Sequence, residues 1–206
     1  LNNYEIRGSL KYPFSEIASI RGTASYRRDE LIVLTSEPIT LQFPILFRNN
    51  ISLKFEYIFD NTINKGINLY NGTRYKIFLE KVKTLQNDKG NMTNIGFDMR
   101  HYEKISRQLI AAIRLSGATS LSAEKVIYYA GGEDGWLFPK FNNNIQIDQT
   151  NTYTYQALAG NIRGFSQNIM NGNSNIVLNT ELRFPVFSYF FNRPIRSDFV
   201  KNFQLV

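Results

Sequence analysis

The chain has 206 residues, of which 43% are hydrophobic and 20% charged, with a net charge of +7, 16 Phe, 12 Tyr and no cysteine. The missing cysteine excludes disulfides, thiolate metal sites and cysteine nucleophiles in this segment. Lys and Arg are spread through strands and loop edges rather than gathered in a patch, which argues against nucleic acid and for anionic lipid headgroups or an anionic lumen partner. No apolar run approaches the ~20 residues that a membrane helix needs; the longest helix-like candidate is Leu109-Ile110-Ala111-Ala112-Ile113. A mean hydropathy of -0.29 looks soluble, but in barrels the lumen residues dilute the lipid-facing ones.

The chain opens at Leu1 in strand-like sequence without a signal-peptide pattern, and reads as an internal or mature piece. Tyr4, Ile6, Gly8, Leu10 and Tyr12 alternate with Glu5, Arg7, Ser9 and Lys11, the period-two pattern of a strand. After a turn at Pro13-Phe14-Ser15, Ile20, Gly22, Ala24 and Tyr26 alternate with Arg21, Thr23, Ser25 and Arg27. Residues from Arg28 to Phe47, with Pro38 and Pro44, read as a long loop. Ile51, Leu53, Phe55, Tyr57 and Phe59 then oppose Ser52, Lys54, Glu56, Ile58 and Asp60. An Asn- and Gly-rich turn spans Asn61 to Gly72. Beyond it Tyr75, Ile77 and Leu79 face away from Arg74, Lys76 and Glu80. The run Asn87-Asp88-Lys89-Gly90-Asn91 is a turn. Ile95, Phe97 and Met99 alternate with Asp98 and Arg100, His101 to Lys104 reads as a short turn, and Leu109, Ala111, Ile113 and Leu115 alternate with Gln108, Ala112 and Arg114.

Gly117 to Asn173 is the longest irregular stretch, and loops of this length are usually functional. In the strand that follows, Ile176, Leu178, Thr180, Leu182 and Phe184 share one face. Asn175, Asn179, Glu181 and Arg183 share the other, with Val177 as the exception. After a turn at Asn192-Arg193-Pro194, a last strand runs from Asp198 to Val206. An apolar face opposite carboxylate, guanidinium and amides is expected of a barrel with lipid outside and water inside. The fold class is therefore all-β: a transmembrane antiparallel β-barrel seen as about eight strands, with residues 1–206 in one barrel domain and a long lumen loop at about 118–173. Short and long connections alternate, as in outer-membrane barrels, and many aromatics lie near strand ends, where membrane girdles sit.

Five segments carry a resemblance. Phe59-Asp60-Asn61-Thr62 through Gly72-Thr73-Arg74 resembles a "D…G-x-R" turn, and Asp98-Met99-Arg100-His101-Tyr102 a "D-x-R-x-Y" turn. Tyr128-Tyr129-Ala130-Gly131-Gly132 resembles a "yyLGG" loop entry, with Ala130 in place of Leu. Ile162-Arg163-Gly164-Phe165 resembles "[V/I]-R-G-[F/Y]", and Glu181-Leu182-Arg183-Phe184-Pro185 resembles "E-L-R-x-P". In this order they resemble the barrel of the outer-membrane assembly and secretion family, which includes BamA-type insertases and two-partner-secretion transporters. The resemblance implies a sixteen-strand barrel in the outer membrane of a Gram-negative bacterium, of which this chain covers the middle and later portion without the periplasmic POTRA domains or the closing strands. It implies insertion or translocation of unfolded β-rich polypeptides, with outer-membrane lipids, those polypeptides and other outer-membrane or periplasmic subunits as partners. Enzyme chemistry and cofactors are not expected. It further implies that Arg163 is a lumen anchor that pairs with Glu181 and pins a loop turned by Gly164 and Phe165, with Arg183 and Arg114 as further lumen charges. An "F-x-D-x-G" aspartate, a second partner for Arg163, is expected beyond Val206.

Other readings stand beside these. By residue type alone Arg163 is a solvated loop arginine; the face of Glu181 and the order of the motifs favour the anchor, and a guanidinium suits it because it stays charged and binds a carboxylate through two N–H groups. Glu181 and Arg183 also fit a same-strand structural pair, two apart and under no need to touch. His101, the only histidine, reads as a solvated turn residue rather than a metal or triad member. Glu133-Asp134 reads as a solvated loop tip before a calcium site, and Trp136 as a loop or interface anchor. A passive pore or uptake barrel is the alternative function, and a soluble β-sandwich or carbohydrate-binding module the alternative fold.

Overall fold

A computed structural model describes residues 2–31, 46–66, 68–86, 90–106, 109–132, 137–160, 162–190, 196–197, 200 and 203–205. The strands are β1 (Asn2–Pro13), β2 (Ala18–Leu31), β3 (Leu46–Asp60), β4 (Ile63–Gly66), β5 (Leu69–Thr84), β6 (Asn91–Lys104), β7 (Ile110–Leu121), β8 (Glu124–Ala130), β9 (Thr152–Leu158), β10 (Met170–Gly172), β11 (Ser174–Pro185) and β12 (Gln204–Leu205), with one short helical segment, α1 (Val186–Phe190). The protein is all-β. Its main sheet is antiparallel in the order β1-β2-β3-β5-β6-β7-β11-β12, with β4 beside β5, and a smaller sheet has the order β10-β8-β9. Among the described residues β1 does not pair with β12, so the large sheet stays open.

The register carries the sequence alternation from strand to strand. One row across the sheet is Ser9, Thr23, Lys54, Glu80, Asn94 and Ser120; a row on the other face is Tyr12, Ile20, Tyr57, Ile77 and Phe97. Tyr4, Ile6, Leu10, Phe55, Tyr57, Ile113, Leu178 and Leu182 therefore lie on one side, and Arg7, Lys54, Arg114, Asn179 and Glu181 on the other. The apolar side is bare: Leu10 is 85% exposed and Leu178 65%. Monomeric soluble proteins seldom leave so large a contiguous apolar area uncovered. At one end of this face the aromatic rings cluster, with Phe59 stacked on Tyr75 at 4.9 Å and Tyr12 edge-on to Phe14 at 5.5 Å.

Several elements are longer than their apolar pattern. β2 reaches Leu31 and β3 begins at Leu46, and β5 has 16 residues, because backbone pairing continues through polar positions once a neighbouring strand is in register. For the same reason His101 to Lys104 is not a turn but the end of β6, where the Thr73 hydroxyl meets His101 Nδ1 at 2.8 Å. The Asn61–Gly72 turn contains β4, and it tightens at Gly72, whose φ of +117° and 2.9 Å approach of a would-be Cβ to the Asn61 carbonyl admit only glycine. The stretch from Gly117 to Asn173, expected to be irregular, holds the end of β7 and the three strands β8, β9 and β10. The last strand is confined to Gln204 and Leu205 among the described residues. Pro38, Pro44, Asp88, Gln108, Glu133, Asp134, Trp136 and Asn192 to Pro194 lie outside the described residues.

Candidate functional site

Between β7 and β11 the chain folds back onto the polar side of the sheet. Apolar breaks in that side receive it. Val82, Met92 and Val177 form a buried cluster with Val126, Tyr128 and Ala159 of the returning segment. Val177, the exception to strict alternation in β11, is thus a packing position. Polar contacts surround the cluster. The Tyr128 hydroxyl donates to Asn94 Oδ1 at 2.7 Å, the Tyr155 hydroxyl to Glu80 Oε2 at 2.7 Å, and the Val126 amide to Ser120 Oγ at 2.9 Å. Burial pushes the Tyr128 phenol up to about 12. Burial, followed by the nearby Glu80 charge, also raises Tyr155.

A second set of anchors lies at the root of the segment. The buried Glu124 carboxylate is ion-paired with Arg48 and accepts from the Thr154 hydroxyl at 3.1 Å and the Thr84 hydroxyl at 3.4 Å. Arg48 also donates to Thr84 Oγ1 at 2.9 Å, and Arg27 donates to the Thr154 carbonyl at 3.0 Å. The knot is closed by Gly90, where a Cβ would come within 2.8 Å of Thr84 Cβ and 3.1 Å of Glu124 Oε1.

The two glycine motifs meet. The Gly132 amide donates to the Phe165 carbonyl, the Ile162 amide to the Gly132 carbonyl, and the Ile169 amide to the Ala130 carbonyl, each at 3.0 Å. Gly131 sits at φ +93°, and a Cβ there would lie 2.1 Å from the Ser166 carbonyl oxygen; Gly164 has φ +83°. The Gly131-Gly132 pair thus makes room for the Ile162-Arg163-Gly164-Phe165 turn to lie against the end of β8. Phe165 is 53% exposed.

Arg163 lines a cavity of about 160 Å³ together with Arg100, Tyr102, Arg114, Asn179, Glu181 and Arg183. At ~3.3 Å per residue, Asn179 and Glu181 lie roughly 16–23 Å along β11 from Ser174, where the segment rejoins the sheet. The turn therefore reaches far down the polar side. Arg163, Arg114, Glu181 and Arg183, separated in sequence, share this one cavity. Several ion pairs in and beside the cavity are resolved. Arg183 donates to Glu181 Oε2 through Nε at 2.8 Å, so the same-strand pair that had no need to touch does touch. Arg114 Nη2 donates to Asp98 Oδ2 at 2.8 Å, and Arg100 Nη2 to the same oxygen at 2.9 Å. Arg100 and Arg114 are direct cross-strand neighbours, a repulsive pairing of like charges that Asp98 bridges. Arg183 also lies over the Tyr102 ring at 5.6 Å.

Glu124, Arg48, Tyr155 and Asn94 were not singled out in the sequence, and Tyr128 and Glu80 only as a motif member and a strand-face residue. Their signal was available only indirectly, in apolar residues such as Val82, Met92 and Val177 on the side that carries the charges. Among the described residues no group of three or more His, Asp or Glu side chains is placed to hold a metal, and no helix is long and apolar enough to cross a membrane. No known protein-family model and no curated protein matches the chain.

Proposed function

We propose that the chain is part of an outer-membrane β-barrel of the assembly and secretion type, which inserts unfolded β-rich polypeptides into the membrane or passes them across it. Lipid covers the apolar side of the sheet, the polar side lines the lumen, and the segment between β7 and β11 is the inward-folded loop. Arg163 pins that loop in the charge cluster around Glu181, where four guanidiniums surround the Asp98 and Glu181 carboxylates. What supports this most directly is the segment itself. It docks on the charged side of a sheet whose other side is apolar and uncovered, and it carries the Ile162–Phe165 turn to the cavity beside Glu181. A soluble sandwich would need the apolar side to be packed against a second layer.

The test is reconstitution of the whole protein into liposomes, followed by addition of a urea-unfolded outer-membrane barrel client. Protease-protected, folded client is expected to appear faster than with empty liposomes. No acceleration, together with conductance to small solutes, would instead establish the passive pore. A protein that stays monomeric in water without detergent would refute the barrel.

A further inference from the structure

β9 is the end strand of the smaller sheet. β8 pairs with one side of it, and no described strand pairs with the other. Its sequence, Thr152-Tyr153-Thr154-Tyr155-Gln156-Ala157-Leu158, is β-branched and aromatic, with no charge, proline or glycine. Edges of this composition template strand pairing, and proteins ordinarily blunt them with lysine, proline, bulges or a covering element. Here the protection is slight: a register shift near Thr154 and the single bond from Arg27 to the Thr154 carbonyl. Tyr155 and Gln156 open onto a cavity of about 630 Å³ whose far wall is β1 to β3, well within the ~300–1,000 Å³ of ligand sites. That wall presents Arg7, Arg21 and Lys54 beside the buried Glu56, which lies 3.6 Å from Arg21 and from Lys54. The wall offers charge of both signs, and each of its lining residues is charged, hydroxyl-bearing or an amide, so it suits a main chain with varied side chains rather than one apolar ligand.

We infer that the outer edge of β9 is a strand-addition site for an extended polypeptide held in this cavity. Main-chain hydrogen bonds from an edge strand are indifferent to sequence, which suits clients that share β-character but not residues. The inference rests on the polypeptide-handling reading above, and supplies it with a place where the client is held inside the lumen.

The experiment uses the whole protein in liposomes, carrying Gln156→Cys. Gln156 is exposed and the 206-residue chain has no cysteine of its own. A β-rich client is stalled in transit by a folded C-terminal fusion and carries a single cysteine at each of six consecutive positions in turn. Strand pairing predicts that cross-link yield alternates between high and low with period two, whereas a cysteine at Ser9 on the far wall gives no alternation. Gln156→Lys, which adds a gatekeeping charge to the edge, is expected to reduce client passage severalfold while the loop stays protease-resistant. If Gln156→Cys cross-links all positions evenly, or none, while the client still passes, the edge site is wrong and the polypeptide-handling function stands. If the client neither cross-links nor moves, both are wrong.

Discussion

Replacing Glu124 with Gln should undock the root of the inward segment. The carboxylate is buried and holds Arg48, Thr84 and Thr154 in one knot. Removing one partner of a buried ion pair costs ~3–5 kcal/mol because the other charge is left uncompensated. Arg48 keeps 29% of its side chain exposed, so water can take up part of that charge, and the low end, about 3 kcal/mol, applies. At 1.4 kcal/mol per tenfold, that raises the population of the undocked form roughly a hundredfold. Hydrogen exchange of the β8 amides, followed in lipid nanodiscs, reads that population directly. The Arg48→Met, Glu124→Gln pair should recover part of the protection, because contacting residues are not additive and no charge then remains buried. Exchange in residues 124–130 of Glu124→Gln within about threefold of the parent would refute the reasoning.

On the proposed barrel reading, Leu178→Arg should destabilise the protein by about 2–4 kcal/mol, with Ser9→Arg, exposed on the other face, much milder, as measured by denaturant-induced unfolding in detergent. Gly131→Ala should displace the Ile162–Phe165 turn, since its Cβ would collide with the Ser166 carbonyl oxygen; new protease cleavage near Arg163 with β8 still protected is the expected result. For Tyr128, a folded pKa raised from 10.0 to about 12 means that the unfolded phenol ionises first. The contribution is full below pH 10 and is lost as pH climbs towards 12, so loop protection should fall across that window in the parent and lose this component in Tyr128→Phe. Arg163→Ala should expose the turn to protease before it impairs folding, and the swap Arg163→Glu with Glu181→Arg should restore protection; equal protection in both single variants would exclude the clamp.

The sheet was legible because its signal is periodic along whole strands. Alternation over Tyr4–Tyr12 or Ile176–Phe184 fixes which side each residue takes, since a slip of one residue inverts every face. Strand ends were less legible, because ladder hydrogen bonds run on past the last apolar residue, as at His101 to Lys104. The inner sheet was not visible at all. β8 is short, with both Tyr128 and Tyr129 buried, and pairs in parallel with β9 across some twenty intervening residues, a contact that no local pattern announces. Motif order and strand face brought Arg163, Arg114, Glu181 and Arg183 together as candidates, and one cavity is lined by all four. Spacing put Glu181 and Arg183 on one face, and allowed without requiring the contact that Arg183 makes to Glu181 Oε2.

The two ends of the inward segment are held by different physics. The root and middle are fixed by a buried apolar cluster and a buried ion pair, which salt screens little and which open only with the surrounding packing. The tip has backbone bonds to Ala130 and Gly132, and Arg163, Gly164 and Phe165 are all exposed. Local opening starts where buried apolar contacts are fewest, so the tip leaves before the root. Such an order would suit the proposed lumen, which must admit a client without losing its internal scaffold. On the proposed barrel reading, release of the Arg163 turn would clear the far end of the lumen, while β8 would stay docked and keep the outer edge of β9 beside the cavity.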